Sequence, residues 1–326
     1  MITWPHPDSD WHPLLSEVEP VYMALAREIT RREKLLINCH SAEYVASRLH
    51  DAGADPARTL LREVPSDDTW TRDYGPITVL EEGRPRLMDF TFNGWGGKFP
   101  APLDNQVTRR LHGEGAFGRL PLSTIDLVLE GGSIEVDGEG SLLTTERCLL
   151  APTRNPLLDR DRIEQRLREA LGVNRILWLR HGHLIGDDTD SHIDTLARFC
   201  DGRTVAYVAC DDRADEHFDD LRQMEGELRA LRDPHGDPYR LVPLPWPAAK
   251  RDPGDGRRLA ASYANFLIIN GAVLVPTYRD GADAEALRRL KGCFPDRDII
   301  GIDCLPLIRQ NGSLHCITMQ LPAGVI

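Results

Sequence analysis

The chain has 326 residues, 41% of them hydrophobic and 28% charged, and its formal net charge is −12. This profile is typical of a globular protein with a large core. No stripe of basic residues with interleaved aromatics is present, so we expect no nucleic-acid partner. No apolar segment reaches the roughly 20 residues that a membrane helix needs, so we expect no membrane partner either.

The seven cysteines are odd in number, and no two of them form a Cys-x-x-Cys pair. This pattern is typical of a reduced, cytoplasmic chain rather than of a disulfide scaffold. The N-terminal sequence also lacks the apolar stretch of a signal peptide. We therefore expect a cytoplasmic protein with free thiols.

The hydrophobic pattern predicts an irregular lead-in over residues 1–13, then helix 14–33, strand 34–38, helix 42–52 and strand 59–64. A unit of two hairpin strands, a helix and a third strand then occurs four times between residues 75 and 302. The predicted hairpins span residues 75–92, 133–145, 194–209 and 263–276. The predicted helices span residues 103–112, 159–171, 214–232 and 282–291, and the third strands span 124–129, 175–179, 239–242 and 298–302.

A fifth unit can be assembled from the two ends of the chain. Residues 314–320 are predicted as a strand that carries Cys316 and pairs with strand 34–38. Five such ββαβ units indicate an α/β fold, a closed ring of about five units whose termini pair in one blade. No linker is evident, so we expect one domain over residues 1–326. The Pro- and Gly-rich segment 243–256 is predicted to be a surface loop and a candidate lid.

The unusual polar residues lie at equivalent positions, close to the first strand of each unit. In a closed ring these positions face the axis, so we expect the side chains to converge in one site. They are Asp73, Glu130, His192, Asp194, Asn265 and Cys316.

This set predicts a specific chemistry. A cysteine thiolate is a strong nucleophile, a histidine can act as acid and then as base, and a carboxylate can orient that histidine. Two further buried carboxylates need a cation between them, and a planar guanidinium suits them. We therefore expect Cys316 to attack a guanidinium carbon and ammonia to leave with a proton from His192. Water activated by His192 then releases a ureido product from the covalent thiouronium, without a metal or another cofactor.

At these residues the chain resembles the agmatine deiminase and bacterial-type peptidylarginine deiminase family of guanidine-modifying enzymes. The matching stretches are Trp70-Thr-Arg-Asp-Tyr-Gly-Pro76, Asn93-Gly-Trp-Gly-Gly97, Glu130-Gly-Gly-Ser-Ile-Glu-Val-Asp-Gly-Glu-Gly140, Gly186-Asp-Asp-Thr189, His192-Ile-Asp194, Ala260-Ala-Ser-Tyr-Ala-Asn265 and His315-Cys-Ile-Thr318. The resemblance covers nearly the whole chain. It implies the five-bladed propeller, a cofactor-free deimination, most simply of agmatine to N-carbamoylputrescine in polyamine biosynthesis, and a homodimer.

The resemblance also assigns roles to single residues. Cys316 would be the nucleophile, His192 the acid and base, and Glu130 its partner, while Asp73 and Asp194 would bind the guanidinium. Trp70 and Trp95 would line the pocket. For agmatine, whose far end is an amine, we expect Asp188 or Asp190 to bind that amine.

Two departures from the family pattern affect the backbone beside the substrate. The histidine motif begins with Ser191 where agmatine deiminases have Gly. The run before the cysteine is Gln310-Asn-Gly-Ser313 where they have Gly-Gly-Gly-Asn. Deimination of free or peptidyl arginine therefore stays open, and so does amidinotransfer to an amine.

Proteins of other classes compete with this interpretation. A metal-dependent hydrolase could use the ligand-rich stretch that contains His181, His183, Asp187, Asp188, His192 and Asp194, although it contains no His-Glu-x-x-His motif. A non-catalytic guanidinium-binding protein would not need Cys316 or His192. The residues also have structural interpretations, since a cysteine in a strand is usually a small buried hydrophobe.

Overall fold

Nine α-helices, five 3-10 helices and 17 short strands make up the fold in the computed structural model, which describes residues 1–326. The strands form five three-stranded sheets and one two-stranded sheet, and none of them closes on itself. The architecture is therefore a mixed α/β fold built from small sheets. No helix combines the length and the hydropathy required to traverse a bilayer.

The α-helices are Leu15–Thr30, Ala42–Ala52, Thr71–Tyr74, Gly94–Gly97, Asp104–Gly113, Glu146–Leu149, Arg160–Leu171, Phe218–Ala230 and Asp283–Cys293. The 3-10 helices are His12–Leu14, Pro56–Arg58, Gly131–Ser133, Ile193–Thr195 and Leu307–Gln310. The strands are Ile2–Thr3, Leu35–Asn38, Thr59–Arg62, Ile77–Glu81, Arg84–Thr91, Leu122–Val128, Ile134–Val136, Ser141–Thr145, Arg175–Leu179, Ala197–Asp201, Thr204–Val208, Arg240–Leu244, Lys250–Arg251, Arg258–Leu259, Leu267–Ile269, Ala272–Thr277 and Asp298–Asp303.

The chain divides into two compact units. The first unit comprises Met1–Gly131, Leu267–Gly271 and His315–Ile326, and the second comprises Gly132–Phe266 and Ala272–Leu314.

Two sheets of the first unit show the predicted repeat and one departure from it. Ile77–Glu81 pairs antiparallel with Arg84–Thr91, which pairs parallel with Leu122–Val128, as a hairpin, helix and third strand require. In the other sheet Leu35–Asn38 is the middle strand and both of its neighbours run parallel to it. Buried side chains that include Trp4, Trp11 and Tyr22 form the core around these sheets.

The second unit repeats the same plan. Two of its sheets pair a hairpin with a third, parallel strand, and a further parallel pair follows. The hairpins are Ile134–Val136 with Ser141–Thr145 and Ala197–Asp201 with Thr204–Val208, and the parallel pairs end in Arg175–Leu179, Arg240–Leu244 and Asp298–Asp303.

Helix boundaries follow from local capping chemistry. The Ser41 hydroxyl accepts a hydrogen bond of 3.3 Å from the Tyr44 N–H, and helix Ala42–Ala52 ends where Gly53 adopts a φ of +69°. Such a polar N-cap and a left-handed glycine satisfy backbone groups that a helix end leaves unpaired. These signals explain why the predicted helix 42–52 is confirmed at both ends.

The predicted strand 314–320 is wrong. Residues 314–317 form turns, and the Thr318 N–H and hydroxyl both bond the His315 carbonyl at 3.0 Å, which curls the chain. The predicted irregular lead-in instead supplies strand Ile2–Thr3, which pairs with Leu35–Asn38. The chain ends still meet, through a single antiparallel bridge between Ile2 and Thr318.

Several smaller predictions also need correction. Predicted helix 214–232 begins only at Phe218, because the Asp215 carboxylate bonds the His217 N–H and stabilises a turn there. Segment 243–256 is not wholly irregular, since strand Lys250–Arg251 pairs with Arg258–Leu259. Asp194 and Asn265 lie in irregular or 3-10 backbone before strands that start later than predicted.

Candidate functional site

The predicted site residues fall into two groups, one in each unit. The first unit contains Trp70, Asp73, Trp95, Glu130 and Cys316, and the second contains Asp188, His192, Asp194 and Asn265.

Asp73 is a buried carboxylate with a defined orientation. It lies in the short helix Thr71–Tyr74 and is 5% exposed. The Trp95 indole N–H donates a hydrogen bond of 2.9 Å to its Oδ2 atom. This bond fixes the orientation of the carboxylate, and an oriented carboxylate suits a planar guanidinium.

Trp95 is held in an unusual backbone conformation. Its φ is +55°, and the flanking Gly94 and Gly96 also have positive φ. A side chain at Gly94 would place its Cβ 2.0 Å from the Phe99 carbonyl oxygen, so only glycine fits there. A left-handed tryptophan is strained, and such strain clusters at functional sites.

Trp70 is a buried aromatic whose polar atom is already engaged. Its indole N–H donates to Asp68 Oδ2 at 3.0 Å, and its ring lies 5.7 Å from that of Trp11. The Trp11 indole donates to the same carboxyl group at 2.9 Å. Desolvation raises the pKa of Asp68 to about 6. Trp70 can therefore offer a ring face, but not its N–H, to a ligand.

Cys316 lies in a turn that Arg72 holds in place. The Arg72 backbone N–H donates to the Cys316 carbonyl at 3.0 Å. The Arg72 guanidinium contacts the His315 carbonyl and Met319 Sδ, each at 3.5 Å, and the Gln320 side-chain oxygen. The cysteine is 7% exposed. Its neighbours are thus fixed by the residue that precedes Asp73.

The segment that carries Glu130 packs against Arg72 through Gly131, the residue that follows the glutamate. Glu130 is fully buried. A Cβ at Gly131 would lie 2.1 Å from the Arg72 carbonyl oxygen, so the two backbones touch. The segments that carry Asp73, Glu130 and Cys316 therefore meet at Arg72.

His192 follows a loop that the Asp187 carboxylate organises. One oxygen of Asp187 accepts from the Thr189 N–H at 3.0 Å, and the other accepts from the Ser191 N–H at 2.7 Å. Asp190 and Ser191 both have left-handed φ, of +65° and +68°. His192 is 1% exposed, and its N–H bonds the Thr189 hydroxyl at 3.1 Å.

Asp194 lies two residues further on, in the 3-10 turn Ile193–Thr195, and is fully buried. The Asn265 amide donates to the Asp194 carbonyl at 3.3 Å. The structure therefore brings together His192, Asp194 and Asn265 in the second unit. The described contact of Asn265 is with the backbone, which indicates a supporting position.

Of the two aspartates proposed for the amine of the substrate, Asp190 is already neutralised. Its carboxylate forms an ion pair of 2.5 Å with Arg154, which is 3% exposed and also bonds the Thr189 carbonyl. Asp188 is half-buried, and the Asn311 amide donates to its Oδ2 at 2.8 Å. Asp188 is the better candidate because its described partner is uncharged.

Two residues of the ligand-rich stretch, His181 and Asp187, use polar atoms within the fold. His181 Nδ1 lies 2.8 Å from Glu227 Oε1, and both oxygens of Asp187 hold the loop described above. His6 and His40 form another group of ligand types with Asp8. Their rings stack 3.6 Å apart at 14°. Since the lone pairs of imidazole lie in the ring plane, stacked rings do not aim at one ion.

The sequence assigned no role to Arg72 or Asn311, and it offered Asp187 only as a metal ligand, not as the residue that holds the loop before His192. Arg72 lies inside the matched stretch around Asp73, and Asp187 begins the stretch before His192, so position within these stretches was the available signal. Asn311 could have been found as a non-glycine residue in the turn, since it replaces a glycine of the family pattern.

Comparison with known proteins identifies relatives that match nearly the whole chain. The profile of the Porphyromonas-type peptidyl-arginine deiminase family matches residues 1–322. An agmatine deiminase of Stutzerimonas stutzeri is 36% identical, with 100% of this chain and 93% of the relative covered. The structure of a cysteine-to-serine variant of C. jejuni agmatine deiminase with substrate bound is 39% identical and has a TM-score of 0.89. The match covers 97% of this chain and 91% of that protein.

A crystal structure from Porphyromonas gingivalis, provisionally described as an arginine deiminase, is 53% identical with a TM-score of 0.94. It covers 100% of this chain, and 95% of that protein is covered. The chain belongs to the Porphyromonas-type peptidyl-arginine deiminase family.

Proposed function

We propose that this protein is a hydrolase that deiminates agmatine to N-carbamoylputrescine and ammonia. The observation that carries this proposal is the match over the full chain to agmatine deiminases at 36% identity. The buried acidic residues support it, because carboxylates such as Asp73 and Asp194 favour a small cationic guanidinium ligand.

The proposed mechanism has two steps. The Cys316 thiolate attacks the guanidinium carbon, the bond from that carbon to one terminal nitrogen breaks, and the nitrogen leaves as ammonia with a proton from His192. Water then gives a proton to neutral His192 and attacks the thiouronium carbon. The carbon–sulfur bond breaks, which restores the thiolate and releases the ureido product.

The other residues have supporting roles in this proposal. Glu130 orients His192, while Asp73 and Asp194 bind the two edges of the guanidinium. Trp70 and Trp95 line the pocket, Asn265 supports Asp194, and Asp188 accepts the amine of the tail. A planar guanidinium donates two parallel bonds to a carboxylate, so these acids would fix the reacting carbon as well as bind it.

The finer structural expectations belong to the same proposal. Five three-stranded sheets support a five-bladed propeller with one catalytic domain over residues 1–326. A cytoplasmic homodimer without a cofactor, active in putrescine formation, follows from the same resemblance. Light scattering of the purified protein would test the dimer.

Arginine is a second candidate substrate. The profile that matches the chain is that of peptidyl-arginine deiminases, and the Porphyromonas gingivalis relative is provisionally described as an arginine deiminase. A free or peptidyl arginine would present the same guanidinium with a different tail. Amidinotransfer to an amine would use the same residues with an amine in place of water.

The deciding experiment gives the purified protein agmatine, free arginine and a short arginyl peptide side by side, with a chelator present. Ammonia and ureido product are measured together, and Cys316→Ala is the control. We expect both products from agmatine. If only arginine or the peptide gives products, agmatine is not the substrate. If the chelator abolishes the activity, the protein is instead a metal-dependent hydrolase.

A further inference from the structure

Asn311 occupies a backbone position that glycine would fill at lower cost. It follows the 3-10 helix Leu307–Gln310 and has a φ of +68°. Asparagine tolerates this left-handed region better than most residues, but glycine has no penalty there. A side chain retained at such a position needs a compensating interaction.

The Asn311 side chain makes two directed hydrogen bonds. Arg257 donates from Nη1 to Asn311 Oδ1 at 2.6 Å. The Asn311 amide nitrogen donates to Asp188 Oδ2 at 2.8 Å. An arginine can only donate, so it must face the amide oxygen, and the amide nitrogen must then face Asp188. The order of the network is therefore fixed by its chemistry.

Arg257 is held in place by contacts with the 3-10 helix that precedes Asn311. It precedes strand Arg258–Leu259, and its Nη2 atom donates to the Arg309 carbonyl. Arg309 in turn forms an ion pair of 3.2 Å with Asp252, and Lys250 forms one of 2.7 Å with Asp280. The hairpin thus holds Arg257 against Asn311.

We infer that Asn311, oriented by Arg257, is a positioning residue that aims the Asp188 carboxylate at the ammonium group of the substrate tail and so determines specificity for that tail. This inference rests on the proposed function, because it assumes a guanidinium substrate with a cationic tail. One Asp188 oxygen is fixed by the amide, and a carboxylate has further acceptor sites for an ammonium group. Arg257 and Asp188 are joined through a neutral amide, so Asn311 orients the acid without itself forming an ion pair with it.

The test compares agmatine with n-butylguanidine, which has the same carbon tail but no terminal amine. Dissociation constants are measured by calorimetry in a Cys316→Ser background, where turnover is not needed. The ratio of the two constants reports the tail amine alone. We expect Asn311→Gly to reduce the preference for agmatine about tenfold, the size expected for a lost bond to a charged group, and to leave n-butylguanidine binding unchanged.

Three further variants make the test specific. Asp188→Asn should reduce the preference to the same extent, and the double variant should reduce it no further. Arg257→Ala should reduce it partly, and Arg257→Lys should restore some of it. Asn270→Gly, in an exposed turn, is the matched control and should change nothing.

Because glycine suits the left-handed position, Asn311→Gly should fold normally, which a melting curve would verify. An unchanged preference in Asn311→Gly, or an equal loss for both ligands, would overturn the inference. The absence of turnover in the wild type would instead refute the proposed function, since the binding ratio is measured independently of it.

Discussion

The Arg72 N–H donates a hydrogen bond of 3.0 Å to the Cys316 carbonyl. The residue before a proposed substrate-binding aspartate therefore holds the turn of the proposed nucleophile. The three guanidinium nitrogens of Arg72 contact three different acceptors, and the single ammonium nitrogen of a lysine cannot reach all three positions. We expect Arg72→Lys to lower kcat at least tenfold, because a small displacement of a nucleophile is costly, and to lower Tm by a few degrees.

Steady-state kinetics and melting curves would check this prediction, with exposed Arg84→Lys as the control. Arg72 is 8% exposed, so its replacement also affects the core. A wild-type kcat in Arg72→Lys would show that the clamp does not position Cys316.

Trp95 orients Asp73 through its indole N–H. Trp95→Phe keeps an aromatic ring but removes the bond of 2.9 Å to Asp73 Oδ2. A hydrogen bond to a charged group contributes about 1.5–3 kcal/mol, so we expect KM for the guanidinium substrate to rise about tenfold or more. Trp178→Phe removes a similar bond of 2.8 Å to Glu164 and should leave KM unchanged. Equal KM values for the two variants would contradict the proposed role of Trp95.

Gly131 is required where the Glu130 segment meets Arg72. In Gly131→Ala the new Cβ would meet the Arg72 carbonyl oxygen at 2.1 Å, so the backbone must shift. We expect the free energy of unfolding to fall by about 1–3 kcal/mol. We also expect kcat to fall further than in variants elsewhere in the protein that lower Tm by the same amount. Chemical denaturation and kinetics would measure both. Gly113→Ala, with no atom within 4 Å of its Cβ, should be neutral, and the same neutrality in Gly131→Ala would contradict the described packing.

Asp68 makes stability depend on pH in a defined window. Desolvation raises its pKa from 3.8 to about 6, so between these values the folded state binds a proton that the unfolded state does not. The contribution of Asp68 to the free energy of unfolding therefore becomes more favourable as pH falls from about 6 towards 4. Burial raises the pKa of Asp89 to about 6 as well, so the wild type contains both contributions.

Asp68→Asn should remove the Asp68 part of this dependence. We expect the rise in Tm from pH 6.5 to pH 5 to be smaller in the variant than in the wild type. The substitution can also change Tm equally at both pH values, and this change cancels in the comparison. Identical pH slopes for the two proteins would rule out the raised pKa.

Local signals in the sequence predicted most of the elements. Ser41 and Gly53 mark a helix by their capping chemistry, and Asp159 does the same for helix Arg160–Leu171. Hairpins were predicted from turn residues such as Asp137-Gly-Glu-Gly140, and the pairing there is confirmed for Ile134–Val136 with Ser141–Thr145. These features depend on residues close together in sequence.

The features that could not be predicted depend on distant contacts. Ile2–Thr3 is too short to show alternation, and its strand exists because Leu35–Asn38 offers an edge. Cys316 lies in a turn because Arg72 and the chain start bind the segments around it. The motifs of the sequence predict candidate site residues, whereas the contacts of Arg72 with the segment around Cys316 join residues more than 240 positions apart.

The most direct test of the account is the identity of the covalent intermediate. Purified protein is mixed with agmatine, quenched in acid within the first turnovers, and analysed by intact and peptide mass spectrometry. We expect an adduct equal to agmatine less one ammonia on the peptide that contains Cys316, and none in Cys316→Ser. An adduct on another residue, or undiminished ammonia release from Cys316→Ala, would contradict the mechanism.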